Sequence, residues 1–291
     1  MWGWARSFYE KIPVCKRVID LAGQVAKLDL PALCFEQNDK INITEYTQIA
    51  MLGVSVAILE ALKEQGMSSC VNAGLSLGEY GALVASGAMS MEDAFAVVRK
   101  RGLYMQEAVP TGGAMAAVLG CEAETIEKIC QETEGIVSVA NYNCPGQIVI
   151  TGEAKAVSMA GEALKEAGAR RVLPLKVSGP FHSKMLTGAG EQLKNVLEPV
   201  KIMNFDTPYV TNVTAEYVTD PALVKPLLVQ QVSSSVLWQQ SVERMISEGV
   251  DTFIEIGPGK TLTGFMRKIN RNVKALNVEK LEDLEKVVKG V

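Results

Sequence analysis

Ser76 lies in Gly74-Leu75-Ser76-Leu77-Gly78-Glu79-Tyr80, directly after the short apolar run Ser69-Cys70-Val71-Asn72-Ala73. A serine flanked by glycines at this spacing marks a sharp strand-to-helix turn, which lifts the hydroxyl clear of the fold and sets it at a helix N-terminus. A hydroxyl is a weak nucleophile at neutral pH and needs a base beside it. The sequence holds one histidine, His182, in Val177-Ser178-Gly179-Pro180-Phe181-His182-Ser183. Ser76 and His182 are together the minimal set for acyl transfer through a serine ester. Each also has a plainer reading, since glycine-serine turns are common and a lone histidine often serves the core or the surface. The Gly-Pro loop that carries His182 favours chemistry, because loops held on a rigid scaffold tend to carry function.

Helices and strands must bring these two residues together across more than a hundred positions. From Asn42 to Gly66 apolar residues at Ile49, Leu52, Val56 and Leu59 keep the spacing of one helical face, with Thr44 or Thr47 as the cap. Ser90 and Asp93 form a capping box for a helix through Val97, Val98 and Tyr104 that ends before Pro110 and carries Arg101. From Gly113 the rhythm changes to two similar halves. Strand 114–119, helix 122–133 and strand 136–142 are followed by strand 147–151, helix 154–167 and strand 171–177, the β-α-β-β-α-β order of a ferredoxin-like module. A helix at 186–197, a strand at 209–212, a helix at 238–247, a strand at 252–256 and a last helix at 261–269 then resume the character of the first part. The fold class expected is α/β: a large α/β-hydrolase-like domain with a parallel sheet, residues 1–112 and 179–291, into which a small ferredoxin-like domain, 113–178, is inserted.

With 291 residues, 48% of them hydrophobic, the chain can bury a full core. A formal net charge of -4 with no basic block leaves no footprint for nucleic acid or an anionic membrane surface. The N-terminus lacks the apolar core of a signal peptide and no run of 18 apolar residues occurs, so a cytoplasmic address is expected. Cysteines 15, 34, 70, 121, 130 and 144 lack Cys-x-x-Cys spacing and read as reduced thiols, and a single histidine argues against a zinc site. Gly259-Lys260-Thr261 imitates the end of a phosphate-binding loop, but the glycine that motif needs five positions before Gly259 is Ile254.

Five motifs occur in order: the Ser76 elbow, Arg101-Gly102-Leu103-Tyr104-Met105-Gln106, Asn141-Tyr142-Asn143-Cys144-Pro145-Gly146-Gln147, Gly179-Pro180-Phe181-His182-Ser183 and Glu255-Ile256-Gly257-Pro258-Gly259-Lys260. In order and spacing the chain resembles bacterial malonyl-CoA:acyl-carrier-protein transacylases over nearly its whole length. The resemblance implies ping-pong transfer of malonyl from coenzyme A to the phosphopantetheine thiol of acyl carrier protein, with no cofactor. It makes Ser76 the nucleophile, His182 the base and the Leu77 N–H an oxyanion donor. Arg101 becomes the carboxylate clamp, a planar fork that lysine cannot copy. On its own sequence context Arg101 reads rather as a solvated helix charge beside Arg99 and Lys100. Phe181 matches the residue that narrows the family's pocket against branched acyl groups, and core packing is its alternative. Gln48, Asn141 and Asn143 match positions lining the cleft, with Asn143 nearer to a turn residue than to a ligand. The family orients its histidine through a main-chain carbonyl, and the stretch that matches here is Ser235-Val236-Leu237-Trp238, with Ser235 and Leu237 as the candidates.

One departure concerns the start. Family members open with a buried strand and a Gly-Gln-Gly-x-Gln loop whose backbone N–H joins the oxyanion hole. This sequence opens at Met1-Trp2-Gly3-Trp4-Ala5-Arg6-Ser7, aligned with the helix after that loop. The resemblance therefore implies an exposed sheet edge and a turnover lowered on the order of 100- to 1,000-fold. Two other classes compete. A serine esterase or thioesterase of the α/β-hydrolase kind shares Gly-x-Ser-x-Gly but adds a carboxylate between serine and histidine and a glycine-rich oxyanion motif upstream, and no such cluster precedes Ser76. A carrier-protein-binding subunit without catalysis has no chemical need of Ser76, Arg101 and His182 together. The partners expected are acyl carrier protein and a coenzyme A thioester, with no nucleic acid and no membrane, and the chain is expected to be a monomer.

Overall fold

The computed structural model describes residues 5–177 and 179–290. Met1, Trp2, Gly3 and Trp4 of the opening segment, Ser178 of the His182 motif and Val291 lie outside them. The chain opens with helices α1 (Arg6–Lys11), α2 (Pro13–Ala26), α3 (Leu30–Phe35) and α4 (Thr44–Glu64). Then come β1 (Asn72–Ala73), α5 (Gly78–Ala85) and α6 (Met91–Ala108). The middle holds β2 (Gly113–Leu119), α7 (Ala123–Glu132), β3 (Val137–Cys144), β4 (Gln147–Glu153), α8 (Ala154–Glu166) and β5 (Arg171–Pro174). After it run α9 (Thr187–Leu197), β6 (Tyr209–Val210), β7 (Tyr217–Val218), α10 (Pro221–Gln231), α11 (Trp238–Ser247), β8 (Thr252–Ile256), α12 (Thr261–Ile269), β9 (Lys274–Val278) and α13 (Leu281–Gly290).

The class is mixed α/β, as the sequence patterns require. Strands β2 to β5 form an antiparallel sheet in the order β3-β4-β2-β5, the ferredoxin-like order. Helices α7 and α8 bury Ile126, Cys130, Val157, Ala160 and Leu164 against one face of this sheet, through Val118, Val139, Ile148 and Ile150. Its other face carries Met115, Ala117, Ala140 and Val149 and packs on Phe181. The parallel pairing expected elsewhere occurs in short pieces: β1 with β6, and β8 with β9, while β7 joins β6 antiparallel. Most of the remaining core is helical. Helix α4 is long and apolar enough to cross a membrane, but it is mostly buried and packs against α2, α5 and α6.

Some boundaries differ from expectation for local reasons. Thr47 does not cap helix α4: its hydroxyl donates to the Ile41 carbonyl and lies 3.0 Å from that of Ile43, while the Thr44 N–H donates to Gln106 Oε1 at 3.2 Å. Ser90 does cap α6, accepting from the Asp93 N–H. Strand β5 stops at Pro174, whose ring nitrogen cannot donate, short of the expected residue 177. Strand β6 ends at Val210 because Asn212, expected as its last residue, turns its main chain and side chain to other partners. The helix at 261–269 is not the last element, since β9 and α13 follow it.

Candidate active site

The elbow rests on a close approach of backbone to backbone. A Cβ on Gly74 would lie 2.0 Å from the main-chain carbon and oxygen of Gly78, so only glycine fits there. Gly78 faces open space, and the second glycine of the motif is not sterically required. Ser76 itself takes φ 52°, a left-handed conformation that costs a side-chain-bearing residue about 1 kcal/mol or more. Asn212 holds it there: its Oδ1 accepts from the Ser76 N–H at 2.5 Å, and its Nδ2 donates to the Gly74 carbonyl at 2.7 Å. At the foot of α5 the Leu77 N–H has no hydrogen-bond partner among the described residues, so it is free to donate.

His182 reaches the serine from the loop that follows β5. Pro180 packs against Gly113, where a Cβ would lie 2.3 Å from the proline ring, and the Ser183 hydroxyl donates to the Pro180 carbonyl at 2.7 Å. His182 is left-handed too, with φ 59°. Its Nε2 is 2.7 Å from Ser76 Oγ, and its Nδ1 is 2.9 Å from the carbonyl oxygen of Gln231. A carbonyl can only accept, so Nδ1 carries the proton and Nε2 offers a lone pair to the hydroxyl. Burial, reinforced by the charge of Arg101, lowers the imidazole pKa to about 4 and keeps the ring a neutral base.

Arg101 occupies a core position on α6, in line with Ala94, Val97, Val98 and Met105. The stripe calls for an apolar residue there, and a guanidinium with 1% exposure takes its place. Gly102 lets α4 approach, since a Cβ there would meet the Glu45 backbone at 2.9 Å, and this brings Gln48 within reach. Arg101 NH1 donates to Gln48 Oε1 at 2.6 Å, while NH2 donates to Gln231 Oε1 at 3.0 Å and to Ser76 Oγ at 3.1 Å. Among the described residues no ion pair joins it to a carboxylate. This is a buried cation held by neutral amides, with its fork on Ser76 Oγ. Among the described residues no group of three or more His, Cys, Asp or Glu could hold a metal ion.

Residues 13–286 match the model of the acyl transferase domain. The chain belongs to the acyl transferase family. It is 46% identical to the malonyl CoA-acyl carrier protein transacylase of Bacillus subtilis (strain 168), over 97% of this chain and 91% of that protein. The crystal structure of MCAT from Streptococcus pneumoniae superimposes with a TM-score of 0.96 at 46% identity, covering 100% of this chain and 96% of that one. A malonyl-transacylase solved in complex with a holo type II PKS acyl-carrier protein, PlMCAT:AntF, gives 0.97 at 37% identity, covering 100% and 96%.

Within this acyl transferase the structure brings Ser76, Leu77, His182, Arg101 and Gln48 together. Phe181 lies at the seam, partly buried, against both the helical core and the small sheet. Asn141 and Asn143 are buried on β3, and no hydrogen bond among the described residues ties either side chain to Ser76, His182 or Arg101. Ser235 and Leu237 do not orient the histidine. The Ser235 hydroxyl donates to the Val139 carbonyl at 2.6 Å and the Leu237 N–H to the Asn212 carbonyl at 2.9 Å, so both stitch the small sheet to the elbow's support. The carbonyl on His182 belongs to Gln231, the last residue of α10, where a helix leaves its final carbonyls without partners along its own axis. Neither Gln231 nor Asn212 sits in a motif of the sequence; the C-terminus of α10 is the signal that marks the first.

Proposed function

We propose that this acyl transferase moves a malonyl group from coenzyme A to the phosphopantetheine thiol of an acyl carrier protein, through an ester on Ser76. The relatives' names supply the substrates, and the observation that carries the reading to this chain is Arg101. Among the described residues its buried fork has no carboxylate partner, and it lies 3.1 Å from Ser76 Oγ, where the carboxylate of a short dicarboxylic acyl group would sit beside its thioester carbon. His182 Nε2 takes the Ser76 proton as Oγ attacks the thioester carbonyl. The oxyanion forms against the Leu77 N–H. Collapse breaks the C–S bond, and the proton on Nε2 goes to the departing coenzyme A thiolate. The carrier thiol then repeats the sequence in reverse: His182 deprotonates it, it attacks the ester, and the proton returns to Ser76. A thioester is exchanged for a thioester, so the site has to exclude water rather than drive the equilibrium.

In this reading Gln48 and Gln231 hold the clamp and Phe181 limits bulk at the acyl carbon. Asn141 and Asn143 belong to the wall behind the seam. Residues 113–178 are an inserted small domain, whose return to the large domain carries His182 into place. The protein works as a cytoplasmic monomer on diffusing partners and needs no cofactor of its own. Intact-protein mass after brief mixing with malonyl-CoA tests the reading on the native chain and on Ser76→Ala. A malonyl adduct on the native chain that Ser76→Ala lacks supports it, and no adduct on the native chain refutes it.

A further inference from the structure

Glu79, two residues into α5, is fully buried behind the elbow, and no step above uses it. Its Oε2 accepts from Gln231 Nε2 at 2.6 Å and from the Asn212 N–H at 3.1 Å. These two residues hold everything that reacts. Asn212 fixes the Ser76 N–H and the Gly74 carbonyl. Gln231 touches the base through its main-chain carbonyl, the clamp through Oε1 and the Ser76 carbonyl through Nε2 at 3.0 Å.

A side-chain amide can turn over and exchange its oxygen with its nitrogen, and only its neighbours decide which way it sits. Arg101 can only donate, so it requires oxygen on its side. The Ser76 carbonyl and Glu79 Oε2 accept, so they require nitrogen on the other. Without Glu79 the nitrogen side would keep the 3.0 Å bond to the Ser76 carbonyl and a weak 3.5 Å bond to Asn212 Oδ1, losing its shortest partner, and reversal would turn an NH2 group toward the guanidinium. Burial pushes the Glu79 carboxyl up to about 7, against the hydrogen bonds of Gln231 and Asn212 and the charge of Arg101, which pull it down. That desolvation is the cost of keeping an acceptor at this point.

We propose that Glu79 is a positioning residue for substrate selection: by fixing the sense of the Gln231 amide it aims the Arg101 fork at the substrate carboxylate. The inference rests on the malonyl-transfer reading of the site. It predicts a split between substrates. Acetyl transfer needs Ser76 and His182, and the carbonyl that orients His182 is main chain, so it should fall by less than about 3-fold when Glu79 is lost. Malonyl transfer also needs the fork, and should fall about 10- to 100-fold, the worth of one misdirected charge-assisted hydrogen bond.

The test measures loading of Ser76 by malonyl-CoA and by acetyl-CoA, as intact mass against time, for the native chain, Glu79→Leu and Glu79→Gln. Glu79→Gln keeps an oxygen able to accept from both Gln231 and Asn212, and the Thr211 hydroxyl beside it can receive the new N–H. It should therefore retain the native preference for malonyl, while Glu79→Leu loses it. An unchanged preference in Glu79→Leu overturns the proposal. So does a Glu79→Gln variant that folds, by its circular dichroism, and has lost the preference; this holds even where Glu79→Leu does not fold. Equal loss of both substrates in Glu79→Leu would make Glu79 a structural residue and would also overturn it. Failure of the native chain to load malonyl on Ser76 would be recognised separately, in the same assay, as failure of the transfer reading.

Discussion

Replacing Arg101 by alanine should convert a malonyl-selective site into one that barely distinguishes malonyl from acetyl. The guanidinium makes three hydrogen bonds, to Gln48, Gln231 and Ser76, and NH2 already touches the nucleophile. A substrate carboxylate bound to this buried fork would gain two charge-assisted bonds, each worth roughly 1.5–3 kcal/mol. Losing both removes about 3 kcal/mol or more from the malonyl transition state, a factor of about 100 or more in its loading rate. Acetyl has no carboxylate to lose, and the Ser76–His182 pair at 2.7 Å does not depend on the guanidinium, so acetyl loading should stay within about 10-fold of native. The fold should survive. Two amide oxygens lose their donor, at about 1–3 kcal/mol each, but the cost of burying an isolated cation disappears with it. Rapid-quench loading with each thioester, read by intact mass, gives both rates from one preparation, and Arg101→Lys should fall between because it keeps the charge without the fork. A variant that loads malonyl in the native ratio to acetyl would refute the clamp.

Further outcomes follow from the same geometry. With the imidazole held to about 4, loading of Ser76 should keep its rate as pH falls below 6.5 and lose it only near pH 4; an acid limb at 6.5 in the pH profile would mean a solvated ring. Stability should respond with opposite signs to the two buried groups. His182 has a folded pKa below its unfolded value, so the unfolded chain binds more protons between about 4 and 6.5 and stability falls as pH drops through that window. Glu79 has a folded pKa above its unfolded value, so its part of the stability is lost as pH rises from 4.5 to about 7. Urea melts of Glu79→Gln across pH 4–7 should therefore show a steeper acid destabilisation than the native chain. Gly74→Ala should fail to fold or lose more than about 3 kcal/mol in denaturant melts, because its Cβ meets backbone that cannot move aside, while Gly78→Ala should be neutral within about 0.5 kcal/mol. Asn212→Ala should destabilise by about 2–4 kcal/mol and slow loading with both thioesters alike, since it releases the Ser76 N–H and the Gly74 carbonyl that fix the elbow.

Local chemistry was readable along the chain. The antiparallel module from β2 to β5 announced itself through alternation and helical spacing within some sixty residues, and its elements stand within a few positions of where the pattern put them. The glycine before Ser76 and the solitary histidine marked the two residues that the structure brings within 2.7 Å of each other, because few residue types can act as nucleophile and base. What the tertiary structure alone decided is how neutral, polar and charged groups share one buried site. Arg101 has the neighbours of a surface charge in sequence, yet its turn of α6 faces the core and leaves the guanidinium without a carboxylate partner among the described residues. Ser235 and Leu237 matched the family stretch, but the carbonyl on His182 comes from Gln231, 49 positions away, because α10 packs on α9 and ends beside the His182 loop. Glu79 was in plain view within the elbow motif, and only the convergence of Asn212 and Gln231 on its Oε2 gives it a role. Hydrogen bonds between residues more than a hundred positions apart leave no periodicity in a sequence. They exist only after helices and strands have been packed, and each is then set by distances of a few ångströms that no local pattern encodes.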